Sequence, residues 1–496
     1  MGLNKAIIKA LGVAVLVALC GLFSCSEDEE FTDDSTARLY FSADTISFDT
    51  VFTTIGSSTQ DLIIYNPNNK GVRLASVRLG SNGNSGFRVN LDGQYNTQFS
   101  DVEIYHGDSI FCFIEVTVDP NDSDSPILIT DSLLFTLSGG TTYKVHLQAY
   151  GQDVIIKKAE VIKENTTLSA NRPFLIYDSL VVAKDAVLTI AEGTTLCFHN
   201  RAELRVHGTL KCEGTLEKPI MMRGDRTDRI FSYLPYDMMD AQWGGIRIYP
   251  ESFGNTIDHT NIHSGDFGIV TEKSTPDQQK LTITNSIIHN VAGDALLLYN
   301  CKTDVGNSQI TNAKNNCLTV IGGESSFVHC TIAQFYPWDF CGHALSFANV
   351  VNDTIYPLNQ IYFRNSIITG ETDDEIYGER LTDSNAAFNY KFENCLVDTK
   401  LTDDDAPYFI ECKLDTAGLD KDSSLYDEDK DKKKKSTGRW GNFRSIKNNN
   451  YVYDFQLDTL SVARGMGNGK DNPYPVDIIG VARPENGPDV GCYQFK

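Results

Sequence analysis

From about Val154 onward the chain repeats itself at irregular intervals in the twenties, and this constrains its fold more than any other feature. Thr256-Ile257 and Ile262-His263 recur as Thr282-Ile283 and Ile288-His289, 26 residues later. Ile288, Asn290, Ala295, Leu296 and Leu298 recur as Ile310, Asn312, Cys317, Leu318 and Val320, 22 residues later. Ile310 leads to Ile332 after another 22, before a longer loop delays the small-aliphatic pair to Ala344-Leu345. Phe363, Asn365 and Ile367 recur as Phe392, Asn394 and Leu396 after 29. Nearer the start, Ala186 to Ile190 is echoed by Ala202 to Val206, each run followed within three residues by a glycine. Each period reads as one coil of three short β-branched strands. A single coil cannot bury its apolar face, but stacked coils form a continuous core. The ladders then run at the ordinary strand spacing of about 4.8 Å. Inward positions are expected to be small or aliphatic, and the recurring Asn285, Asn365 and Asn394 to sit in tight turns. The leucine-rich-repeat consensus and the roughly 40-residue blade of a propeller are both absent.

Several motifs carry a family resemblance. Gly193-Thr194-Thr195-Leu196, Val206-His207-Gly208-Thr209-Leu210, Gly214-Thr215, Pro219-Ile220 and Trp243-Gly244-Gly245-Ile246, followed by Gly268-Ile269, resemble the opening coils of right-handed β-helix repeat proteins of the pectin lyase-like kind. Asp477-Ile478-Ile479-Gly480, Arg483 and Asp489-Val490-Gly491-Cys492-Tyr493 resemble their closing segment. The resemblance implies a right-handed single-stranded parallel β-helix over 153–496. It implies no activity, since this fold hosts lyases and non-enzymes alike. The stretch near 415–440, with Asp427 to Asp431 running into Lys432 to Lys435, reads as a solvated loop, with a partner-docking tail as the alternative.

Ahead of the repeats, 38–152 is a string of short alternating strands such as Asp61 to Tyr65, Ile110 to Val116 and Tyr143 to Leu147, split by turn clusters like Asn66 to Gly71. This pattern predicts a β-sandwich. Phe48 to Val51 followed by Leu62 to Asn66 resembles the immunoglobulin-like domains that open many bacterial surface proteins. The expected class is therefore all-β, an immunoglobulin-like sandwich followed by a β-helix.

The N-terminus reads as an address. Lys5 and Lys9 precede an apolar run, Leu11 to Leu22, too short to span a bilayer. Leu22-Phe23-Ser24-Cys25 resembles the lipobox cut by the lipoprotein signal peptidase, although Phe23 departs from the usual small residue. Cys20 is the rival, but bulky Leu19 makes it a poor cleavage site. An ordinary signal peptide or short anchor helix is the alternative. The resemblance implies a leader over 1–24, lipid (palmitate) attachment at Cys25, and a membrane as partner. Ser26 to Glu30, within an acidic tether over 25–37, resembles the surface-export signal of lipoproteins of the Bacteroidetes group. That implies an outer-membrane, surface-exposed location.

Composition narrows the partners. With 43 Lys and Arg against 66 Asp and Glu, the chain carries −23, and loss of Lys5 and Lys9 makes it more acidic. Nucleic acid and anionic lipid headgroups are thereby disfavoured. Apart from Cys20 and Cys25, the other ten of the 12 cysteines form no CxxC pair and read as small buried hydrophobes like Cys197 and Cys395. An oxidising compartment would also permit disulfides.

Stacked coils place equivalent residues in columns. Asp294, Asn316 and His343 stand just before the small-aliphatic pairs, with Asp266 close to the register. A carboxylate, an amide and an imidazole about 5 Å apart would meet one sugar ring or share a proton. Turns use the same residue types for local hydrogen bonds, and that is the favoured reading. The insertion from Gln334 to Phe340, with Tyr336 and Trp338, is either a wall for stacking a sugar or an apolar plug. Trp243 reads as packing. Polygalacturonase-like hydrolases carry Asn-Thr-Asp, a Gly-Asp-Asp setting, Gly-His-Gly and Arg-x-Lys; this chain offers Gly342-His343-Ala344 alone. Pectate-lyase-like enzymes hold calcium in a carboxylate cluster beside a basic residue. Asp373 to Glu375 and Asp403 to Asp405 have no such neighbour and read as solvated loops. The nine histidines read as showing no HxxxH or other metal spacing, no cofactor is expected, and calcium stays open without support. The expectation is a surface lipoprotein presenting a β-helix to a glycan or protein without catalysis. The alternatives are a polysaccharide lyase or glycosidase acting through Asp294 and His343, and a scaffold in an envelope complex.

Overall fold

Short β-branched runs punctuated by Asn, Asp and Gly leave the chain little but strand and turn. The computed structural model describes residues 29–372, 374–381, 385–415, 439–446 and 451–496. Cys25 and most of the charged stretch near 415–440 lie outside them. The chain divides into two compact units, one ending at Pro120 with Ile127–Gly151 added, the other Asn121–Pro126 with Gln152–Lys496.

The first unit is a two-sheet sandwich. One sheet runs Phe31–Thr32, Gly71–Leu79, Ile127–Leu137, Thr142–Gln152, Thr45–Phe52, with Gln98–Phe99 and Val102–Ile104 also on the second of these strands. The other runs Tyr40–Phe41, Gln60–Tyr65, Ser109–Val116, Phe87–Leu91, Gln94–Asn96. Alternation does the sorting: along Ser109–Val116, Cys112, Ile114 and Val116 point into a core shared with Phe48, Leu62 and Phe135, while Phe111 and Phe113 point out. The expected acidic tether is partly structured, because Phe31–Thr32 pairs in parallel with Gly71 and Val72, and Glu30 pairs with Lys70 at 2.7 Å.

The second unit is a parallel β-helix of three ladders. Successive coils are Thr260–His263, Ile269–Thr271, Gln279–Thr284; then Ile287–Val291, Leu296–Tyr299, Lys302–Gly306; then Gln309–Ala313, Leu318–Ile321, Gly323–Val328. The strands that open, continue and close each coil form the first, second and third ladders. Register pairs reproduce the repeat offsets: Ile262, Ile288, Ile310 and Ile332 stack, as do Leu296, Leu318 and Leu345, and Phe363 with Phe392. The echo between Ala186–Ile190 and Ala202–Val206 is different. Val187–Ala191 belongs to the third ladder and Glu203–Val206 to the second, so these runs lie on different faces.

The interior holds Ile, Leu and Val, but it is not confined to small or aliphatic groups. Phe327, Phe363, Phe392 and Phe409 stack along the third ladder at 4.6, 4.9 and 4.5 Å, with rings within 11° of parallel. Their spacing matches that of the coils, so aromatic rings fit as a pile where one alone would not. Trp243 is fully buried on Phe198, 4.2 Å away, and its Nε1–H donates to the His263 carbonyl. The adjoining Gly245 has φ 94°, and a Cβ there would meet the Phe267 carbonyl oxygen at 2.3 Å. Only glycine fits that position.

One turn recurs between the third and first ladders. His259, Asn285, Asn307, His329, Asn365 and Asn394 all take left-handed φ between 41° and 53°, a region in which Asn is enriched. The next residue turns a small polar group inward. Ser308 Oγ accepts the Ser286 amide at 3.1 Å and Ser366 Oγ that of Cys330 at 3.0 Å, while each hydroxyl donates to a carbonyl two residues back.

The outer side of the first ladder is clad. The chain from Ala463 to Tyr493, with Phe443, Phe455 and Leu457, packs on Ala333, Ile367 and Leu396 in a separate apolar cluster. Tyr493 donates to Gln309 Oε1 at 2.8 Å, Arg483 donates to Asn307 Oδ1 at 2.7 Å, and the Asn468 amide donates to Asn365 Oδ1 at 2.9 Å.

Candidate functional site

The polar column forms in the structure, at the turn from the first ladder to the second. Leu296, Leu318, Leu345 and Ile376 are register partners, which puts Asp294, Asn316, His343 and Asp374 in line. Asp266 falls one position off, because Ile269 pairs with Leu296 and so sets Phe267 opposite Asp294. The column's polar atoms serve the backbone. Asp294 Oδ1 accepts the Asn316 amide at 3.0 Å, Asn316 Oδ1 accepts the His343 amide at 2.9 Å, and His343 Nδ1 donates to the Asp374 carbonyl at 3.0 Å. Each coil caps the next, which is turn chemistry. Burial pushes the Asp294 carboxyl up, against the Asn316 amide, which lowers it. The Asp266 carboxyl is raised as well, by partial desolvation and by Glu203 and Asp240, with Arg201 opposing the shift.

The acidic run ahead of Ile376 is not a solvated loop throughout. Glu375 is fully buried; its carboxylate accepts the Ala344 amide at 2.9 Å and both the amide and hydroxyl of Thr372 at 2.7 Å. It caps in the opposite sense, its carboxylate taking an amide from the coil before it.

The insertion between Gln334 and His343 combines both predicted roles. Its first half is a plug: Phe335 packs against Phe443 and Phe455, and the buried Tyr336 donates its hydroxyl to the Asp240 carboxylate. Burial, then Asp240, raises the Tyr336 phenol. Its second half is a wall. Trp338 lies 4.4 Å from the Tyr451 ring, inclined by 37°, and Phe340 is 95% exposed. Together these line a cleft of about 750 Å³ with Tyr453, Asp339, Cys341, Glu371 and Thr372. That volume falls in the range of small-ligand sites. Asp339 is matched by Lys314 at 3.1 Å.

The sequence pointed to Trp338 and Tyr336 but not to Tyr451 and Tyr453, which arrive from the chain cladding the first ladder and lie outside any repeat.

A second polar group lies on the outer side of the first ladder. Arg223 Nη1 meets Asp237 at 2.7 Å; His263 and His289 stack at 4.8 Å and share Asn261 Oδ1 at 2.9 and 3.2 Å. Burial and the neighbouring His263 push His289 down to about 3. The 26-residue recurrence of Ile-His was the signal for this pair. His259 and His263 stand four apart, the spacing of a helical zinc pair, which runs against the reading of no metal spacing in the histidines. Here, however, His259 sits in a turn beside Asp258, and an extended strand carries such residues roughly 13 Å apart. Among the described residues, no three His, Cys, Asp or Glu side chains are grouped to hold a metal ion.

No protein-family model and no curated protein matches this sequence. Among solved structures, a protein of unknown function from Porphyromonas gingivalis W83 is 15% identical over 26% of this chain and 50% of its own, TM-score 0.18. The catalytic domain of a GH87 α-1,3-glucanase, solved with tetrasaccharides, is 10% identical over 71% of this chain and 91% of its own, TM-score 0.17. An ASH/PapD-like domain of human CEP192 is 11% identical over 25% and 89%, TM-score 0.17. The chain spans only half of the first of these, and at such TM-scores the likenesses carry no argument.

Proposed function

We propose that this chain is a surface lipoprotein, anchored in the outer membrane through lipid on Cys25, whose β-helix binds a glycan without transforming it. The aromatic cleft carries the reading. Trp338, Tyr451 and the exposed Phe340 offer ring faces, and Thr372, Glu371 and Asp339 offer polar groups at their edge. Rings with hydrogen-bonding neighbours suit the apolar faces and hydroxyls of a sugar. The polar column argues against catalysis, because Asp294 and Asn316 spend a side-chain oxygen on backbone amides.

A glycan-array screen of the chain from Ser26 onward, followed by calorimetry on any hit, tests the proposal. Trp338→Ala should weaken binding by about 2 kcal/mol, or roughly thirty-fold in Kd. Unchanged affinity in that variant would remove the cleft from the account. The anchoring is tested by fatty-acid labelling, which Cys25→Ser should abolish.

A catalytic reading rests on the raised carboxyl of Asp294 two coils from His343. It requires unsaturated, ultraviolet-absorbing product or new reducing ends from a polysaccharide, lost in His343→Ala.

A further inference from the structure

Two thiols face each other at the last described coil of the β-helix. Cys395 follows Asn394 and Cys412 follows Glu411, and both turn residues take left-handed φ, 51° and 53°. The strands leaving those turns pair in register, Leu396 with Lys413 and Val397 with Leu414. The Lys413 amide donates to the Cys395 carbonyl at 2.9 Å. The two side chains also follow the same path. The Cys395 thiol donates to the Glu393 carbonyl at 3.2 Å, and the Cys412 thiol to that of Ile410 at 3.5 Å.

In-register neighbours of a parallel ladder lie about 4.8 Å apart at Cα, within the roughly 4.4–6.8 Å that a disulfide spans. The other cysteines on the ladders stand opposite different residues: Cys197 faces Arg223, Cys212 faces Ile257, and Cys330 donates its amide to Ser366. The pair is also asymmetric. Cys395 is fully buried, whereas Cys412 is partly open to solvent. The Cys395 thiol, whose hydrogen turns from the Glu393 carbonyl to a Cys412 thiolate, holds Cys412 below the usual thiol range, and burial holds Cys395 above it. An accessible thiol that ionises readily, backed by a buried one, is the arrangement of an attacking and a resolving cysteine.

We propose that Cys395 and Cys412 form a dithiol site that a small-molecule disulfide closes into a cystine, stapling the last described coil to the one before it. The Cys412 thiolate attacks one sulfur of the oxidant, forming a mixed disulfide and expelling one small thiol. Cys395 then loses its proton and attacks the Cys412 sulfur, expelling the second. Two protons and two electrons pass to the oxidant, which leaves as two thiols. The staple would fix the edge formed by Phe409–Ile410 and Lys413–Leu414, which among the described residues pair with one neighbouring coil alone. This inference is independent of any glycan.

The test is to treat the full chain in native buffer with oxidised glutathione, block remaining thiols with N-ethylmaleimide, and map peptides by mass spectrometry without reduction. A cross-linked peptide pair joining Cys395 to Cys412, two hydrogens lighter than the separate peptides, is expected. Alkylation before oxidation should label Cys412 at least tenfold faster than Cys395. Cys395→Ser should stop at a glutathione adduct on Cys412. Cys412→Ser, a change at the more open position, should leave Cys395 unreacted, which keeps the test valid if the buried substitution misfolds. Separate adducts on both cysteines, both thiols remaining free, or a link to another cysteine would overturn the proposal.

Discussion

His329 occupies a turn position that its neighbours fill with asparagine, and it does asparagine's work there. Its Nε2 accepts from Asn365 at 3.1 Å and its Nδ1 faces the Gly491 carbonyl at 3.4 Å, tying the C-terminal chain to the coils. Burial, with the Arg483 and Arg364 guanidiniums nearby, pushes the imidazole down to about 2. An unfolded histidine binds its proton near pH 6.5. Between those values the unfolded state therefore holds a proton that the folded state lacks, so stability is full above pH 6.5 and falls as the pH drops towards 2. From pH 6.5 to 5 the loss from this residue amounts to about 2 kcal/mol. His329→Asn should remove that share, which urea titrations of both proteins at pH 7 and 5 will show as a smaller pH dependence in the variant.

The repeated turn is the element on which the coils depend, and Asn307 allows its parts to be separated. Its left-handed backbone is one contribution; its side chain, donating to Asn285 Oδ1 at 2.7 Å and accepting from Arg483 at 2.7 Å, is the other. Asn307→Gly keeps the backbone and should cost about 1–2 kcal/mol from the lost hydrogen bonds. Asn307→Val adds backbone strain of about 1–3 kcal/mol, and denaturant midpoints should rank the two accordingly. Much of this element was legible in the sequence: Asn285, Asn365 and Asn394 announced it, and the offsets predicted the partners of Ile288, Leu296 and Phe363. His259 and His329 hid two of its members, because equivalence at a turn follows backbone conformation and not residue type. Lys280 was equally hidden. It is fully buried, with its Nζ on the carbonyls of Tyr249, Pro250 and Ser252, a role that no alternation pattern encodes. The cleft was half legible, since a non-repeating insertion shows that a loop exists but not which distant tyrosines will meet it.

At the scale of the molecule, each coil pairs its strands only with those of its neighbours, so stability should be graded along the stack. Amide hydrogen exchange should be slowest in Ile288 and Ile310, paired on both sides, and fastest at Lys413–Leu414, paired on one among the described residues. Uniform protection along the stack would contradict a nearest-neighbour core. The long step from His329 to Asn365 shows what the repeating turn permits. The chain leaves the ladder after Thr331–Gln334, builds the aromatic insertion, and returns to the same backbone geometry as if nothing had intervened. On the proposed glycan-binding role, the groups that would meet a ligand, Trp338 and Phe340, lie outside the repeats that build the coils. The wall of the cleft at Trp338 and Phe340 can change its taste without renegotiating the core, so relatives of this chain should diverge in what they hold long before they diverge in shape.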